Sequence, residues 1–96
     1  MKFQKFQQSL QLEKVPQQYS LLLQALWYDA KGDWEKAHQL AQEDNTADGA
    51  LLHAYLHRKE GDEGNAQYWY NRANKKFSLL TLEKEWEEIV KALLKK

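Results

Sequence analysis

The chain contains no cysteine, a single proline, no excess of charge of either sign and no long apolar run. Without cysteine there are no disulfides, thiolate nucleophiles or thiolate metal ligands, which fits a reducing compartment and makes the cytoplasm the expected location. Fourteen Lys and Arg residues balance fourteen Asp and Glu residues, so no global field draws nucleic acid or an anionic membrane, both of which require a concentrated positive face. The longest apolar stretches, such as Leu21-Leu22-Leu23, fall far short of the roughly 20 residues needed to cross a bilayer. The first residues, Met1-Lys2-Phe3-Gln4-Lys5-Phe6-Gln7-Gln8, are broken by lysine and glutamine and lack the apolar core of a secretory signal. At 96 residues the chain has room for one domain and one modest core.

What is present is an imperfect internal repeat. Ala25 to Asp33, ending in Lys31-Gly32-Asp33, recurs as Ala54 to Asp62, ending in Glu60-Gly61-Asp62, at an offset of 29 residues. Each copy places a small residue, a Gly-Asp turn and a second alanine (Ala37, Ala66) at matching positions, the pattern of a helix-turn-helix unit used twice.

Between these markers the apolar spacing predicts helices. Pro16 suits the first turn of a helix that runs through Trp27 to about Gly32, leaving residues 1–15 as a leader. Phe3, Phe6 and Leu10 are spaced so that the leader itself forms a short helix. Asp33 caps a second helix with Trp34, Ala37, Leu40 and Ala41 on one stripe, and a third runs from about Thr46 or Ala47 to Glu60. Asp62 caps a fourth, carrying Ala66, Trp69, Tyr70 and Ala73, and Lys75 to Leu80 form a connector. Thr81 then caps a last helix, whose Leu82, Trp86, Ile89, Val90, Leu93 and Leu94 form an apolar face that closes the stack. The expected fold is all-α: two helical hairpins and a C-terminal capping helix over residues 16–96.

Gly61-Asp62 followed by Ala66, Tyr70 and Ala73, with Ala54 in the preceding helix, resembles the second half of a tetratricopeptide repeat. The first copy agrees at Ala25, Gly32 and Ala37 and departs at Ala41 and Asp44. The resemblance covers about residues 19–75, and the 29-residue offset is shorter than the standard 34. Asp48-Gly49-Ala50, His53 through Asp62, and Asn65-Ala66-Gln67-Tyr68-Trp69-Tyr70-Asn71-Arg72-Ala73 also resemble a small, mostly bacterial family. That likeness implies a fold and a bacterial origin, and it implies no activity.

Two chemistries compete with an interaction role. His53 and His57 lie one helical turn apart with Glu60 three residues on, a spacing compatible with a metal. However, Ala54 stands where a zinc-protease motif has its glutamate base, and no third ligand is set by local spacing. An acid-base site around His57, Glu60, Asp62, Tyr68 and Arg72 would need a pocket that a two-hairpin stack hardly supplies. A packing role against Trp69 and Tyr70 is the stronger reading for the histidines, and no metal or cofactor is assigned from the sequence.

The interaction reading starts from geometry, because stacked helix pairs line a concave surface with the first helix of each pair. By analogy with tetratricopeptide grooves, that surface carries Tyr19, Leu22, Leu26 and Asp29 from one copy and Asp48, Leu51, Tyr55 and Arg58 from the other. Tyr55 and Arg58 are the expected anchors for a protein or peptide partner. Leu22 and Leu26 replace the polar clamp that holds chaperone C-termini, so such tails are poor ligands. Pairing of two copies through the Leu21-Leu22-Leu23 edge is an alternative. So is a groove filled by the leader or the last helix of the chain itself.

Overall fold

The computed structural model describes residues 1–96 and is entirely helical. Its six helices are α1 (Phe3–Ser9), α2 (Leu21–Ala30), α3 (Trp34–Gln42), α4 (Ala47–Lys59), α5 (Glu63–Arg72) and α6 (Leu82–Leu94). The three predicted caps, Asp33, Asp62 and Thr81, are in place, and Thr46 caps α4 in the same way. The side chains of Asp33, Thr46, Asp62 and Thr81 each accept a hydrogen bond from the backbone N–H three residues on, satisfying one of the donors that a helix start leaves unpaired.

The repeat is visible in the backbone of the turns. Gly32 and Gly61 adopt φ of 90° and 87°, and the following aspartate N–H reaches back to Tyr28 O or His57 O at 2.9 Å. This six-to-one closure needs a residue at positive φ, which glycine adopts without a Cβ penalty. Asn74, at φ 58°, ends α5 in the same way, with Lys75 N–H donating to Tyr70 O at 2.9 Å.

The start of α2 departs from the sequence reading. Residues 16–20 form a turn closed by Tyr19 N–H to Pro16 O, and Ser20 caps a helix that begins at Leu21. The serine hydroxyl captures Leu23 N–H, and Tyr19, freed from the helix, stacks on Phe6 with ring centroids 5.4 Å apart.

α2 packs on α3, α3 on α4 and α4 on α5, which gives the two expected hairpins in a row. The last helix does not extend that row. The extended connector after Asn74 turns the chain back, so that α6 lies across α2 and α4 with α1 beside it. It meets α5 through Tyr70 Oη, which donates to Glu85 Oε2 at 2.6 Å. Both chain ends therefore lie on the face that the hairpins make concave. The leader belongs to the main core: Phe6 is fully buried and Val15 nearly so, alongside Leu22, Leu26, Tyr55, Ile89 and Val90.

Three indoles tie these layers together. Trp27 Nε1 donates to Ser9 O at 3.0 Å, Trp34 Nε1 to Leu56 O at 2.8 Å and Trp86 Nε1 to Leu26 O at 3.1 Å. Each joins two helices through one large apolar body with a satisfied polar edge, and Trp86 does so across 60 residues of sequence.

Candidate functional site

The concave face assembled from α2 and α4 is where the sequence places a binding surface, and most of that surface is occupied by the chain itself. Tyr19 is buried under Phe6, while Leu22 and Leu26 lie in the core beneath α1 and α6. Leu51 is half-buried and packs against both core clusters. Arg58 reaches inward, its Nε 3.4 Å from Glu85 Oε1, while its guanidinium also donates to Leu80 O and so fastens the connector. The Leu21-Leu22-Leu23 edge faces inward too, with Leu22 and Leu23 buried and Leu21 half-buried.

Two sizeable openings remain beside that surface. One, of about 870 Å³, lies at the end of the bundle, where Leu22 and Asp48 meet Leu93, Leu94 and Lys96; a 2.5 Å ion pair between Lys96 and Asp48 crosses it. The other, of about 720 Å³, lies between α1 and the start of α6. Phe3, Leu10 and Trp86 give it apolar walls, Gln7 and Glu83 stand on its rim, and Asp29, Tyr55 and Lys59 form its floor.

That floor is a polar network inside an apolar core. Asp29 is 2 % exposed; it accepts from Tyr55 Oη at 2.8 Å and from Lys59 Nζ at 2.8 Å. Burial, reinforced by the Asp29 carboxylate, raises the Tyr55 phenol well above its ordinary value and keeps it a neutral donor. The adjoining trio of Glu85, Arg58 and Tyr70 obeys the same logic. Burial raises the Glu85 carboxyl against the opposing pull of Tyr70 and Arg58.

A second constellation lies on the opposite side of α4. His53 and His57 from α4 meet His38 from α3, so all three histidines of the chain converge. His38 Nε2 and His53 Nε2 are 2.8 Å apart, and His57 Nδ1 is 2.6 Å from Glu60 Oε1. Trp69 stacks on His53 at 3.9 Å and 8° between planes, and Trp34 stacks on His38 at 4.8 Å and 10°. The sequence places His53 and His57 against Trp69 and Tyr70; in the structure His53 stacks on Trp69, whereas His57 meets Trp34 edge-on at 6.0 Å. His38 was missed. It lies one turn beyond Trp34 on α3, and only the α3–α4 packing brings it to the other two. Burial lowers His53 to about 4, with His38 and His57 adding to the effect; burial and His57 lower His38 as well. A cleft of about 140 Å³ reaches His53 between Ala50, Trp69 and Arg72.

No protein-family model, curated protein or solved structure matches the chain. The reading of function therefore rests on these two sites.

Proposed function

We propose that this domain is a protein-interaction module that holds a short peptide segment in the cleft between α1 and α6. The observation that carries this reading is the cleft itself: an open, apolar-walled trough of about 720 Å³ whose floor retains Tyr55, one of the two anchors expected from the sequence. The other expected anchor, Arg58, is committed to Glu85 and Leu80 and takes no part.

Charge selects the occupant. Asp29 is paired with Lys59 at 2.8 Å, and Glu87 with Lys91 at 2.5 Å. Glu83, exposed on the rim, has no cation within ion-pair distance. A segment that presents an apolar side chain to Phe3, Leu10 and Trp86, with a lysine or arginine beside it for Glu83, satisfies both the walls and the rim.

An immobilised library of ten-residue peptides tests this. Each peptide has one apolar residue flanked by lysine or arginine, with matched versions carrying aspartate or glutamate, and is probed with wild type and Glu83→Lys. Wild type is expected to retain the basic members, and Glu83→Lys to weaken them about fivefold, the scale of an exposed charge pair, while tolerating acidic ones. Binding with no preference for charge, binding unchanged by Glu83→Lys, or retention of no peptide would overturn the reading.

A further inference from the structure

The geometry points to a divalent transition-metal site formed by His38, His53 and His57, with Glu60 orienting the third ligand. Their ring nitrogens lie within 4.8 Å of one another, the closest pair at 2.8 Å. An ion held tetrahedrally at about 2.0–2.1 Å from each imidazole nitrogen requires the ligands to be about 3.3 Å apart. The closest pair lies just under that value and every separation is within 4.8 Å, so small ring movements suffice.

The elements fix the three rings independently. His53 and His57 share one face of α4 at i, i+4, and α3 delivers His38 from across the helix pair. Trp69 and Trp34 lie flat against His53 and His38, which limits rotation of those rings. For His57 the orienting group is a carboxylate: with Nδ1 engaged by Glu60 Oε1 at 2.6 Å, Nε2 is left for the ion, the arrangement by which metal-ligating histidines are commonly held.

His38 is the one ligand whose proton must move. Its Nδ1 lies 3.3 Å from Gln42 Nε2, so the amide donates to it and the ring carries its proton on Nε2, facing His53. Binding shifts that proton to Nδ1, and rotation of the Gln42 amide turns its oxygen to accept it, so Nε2 becomes a ligand with no net loss of protons. The small cleft beside His53 gives solvent a path to the cluster and leaves the fourth position for water. Three neutral nitrogen donors of intermediate softness suit Zn²⁺, Co²⁺ or Ni²⁺, whereas Mg²⁺ and Ca²⁺ require oxygen.

The test is Zn²⁺ titration of the chelator-treated full chain against a chromophoric competitor, with Mg²⁺ as control and Co²⁺ absorption as a readout of geometry. Wild type is expected to take one Zn²⁺ per chain and to give the intense visible bands of tetrahedral Co²⁺. Glu60→Gln, at an exposed position, is expected to weaken binding about 10- to 100-fold, the range for a group that orients a ligand. His38→Gln removes a ligand from the half-buried edge of the cluster and is expected to abolish the Co²⁺ bands. Should either variant fail to show the wild-type far-ultraviolet dichroism, the imidazole proton resonances of wild type decide: broadening by Co²⁺ of all three histidines together is the expected result. No Zn²⁺ uptake by wild type, equal affinity in the folded variants, or Co²⁺ broadening spread over surface carboxylates would overturn the assignment.

Discussion

At the scale of the residue, Arg58 shows how a side chain chosen for one role serves another. Arginine and tyrosine are frequent in binding hot spots, and the helical pattern puts both Arg58 and Tyr55 on the concave side of α4. The missing information was the partner: Glu85 lies on another helix, and nothing local in the sequence shows that α6 folds back to meet Arg58. In the structure the pair is nearly excluded from water, with side-chain exposures of 13 % and 6 %, and although Arg58 Nε and Glu85 Oε1 lie 3.4 Å apart neither atom has a hydrogen-bond partner. Removing one member of such a pair leaves a buried group uncompensated. Arg58→Ala is therefore expected to lower unfolding stability by about 3 kcal/mol in urea titration. A loss below about 0.5 kcal/mol would mean that the pair is solvated and Arg58 is free for a ligand. His38 illustrates the opposite failure: its spacing from Trp34 was legible, but its convergence with His53 and His57 depends on how α3 packs against α4.

At the scale of the element, local chemistry was far more legible. The caps at Asp33, Asp62 and Thr81, both Gly-Asp turns and the apolar faces of α3 to α6 follow from short-range rules about unpaired backbone donors and helical periodicity. The start of α2 was misplaced because two signals competed there, Pro16 as a first-turn residue and Ser20 as a cap. The serine prevails because Tyr19 gains a stacking partner in Phe6 by staying outside the helix. The repeated turn also makes a quantitative prediction. Gly61, at φ 87°, has open space around the Cβ direction, so any penalty for a side chain there comes from the backbone alone. Gly61→Ala is expected to cost about 1–2 kcal/mol in thermal or urea unfolding. Gly61→Asn is expected to cost less, because asparagine tolerates the left-handed region, as Asn74 does in the third turn. Equal costs for the two would indicate that the turn is not held at positive φ in solution.

At the scale of the whole molecule, the decisive event is the return of both chain ends to the face that two hairpins alone would leave open. A pair of hairpins cannot bury its apolar faces unaided, and short arrays need their ends capped. Here α1 and α6 supply that cover, converting Tyr19, Leu22 and Leu26 from candidate contacts into core and leaving a cleft between the two covering helices. The sequence contained both alternatives, an open groove or one filled by the chain's own ends, and only long-range packing chooses between them. The measurement that tests this account most directly is nuclear magnetic resonance of the full chain, recording Overhauser contacts of the Phe6 ring and hydrogen exchange of the four indole N–H groups. The account predicts contacts from Phe6 to both Tyr19 and Trp86, whose rings lie 5.4 and 5.9 Å away, and slow exchange at Trp27 and Trp86, whose indoles are bonded to Ser9 and Leu26. Absence of those contacts, with fast exchange at Trp27, would contradict it: α1 would then be detached, the concave face open, and the cleft between α1 and α6 no longer a site.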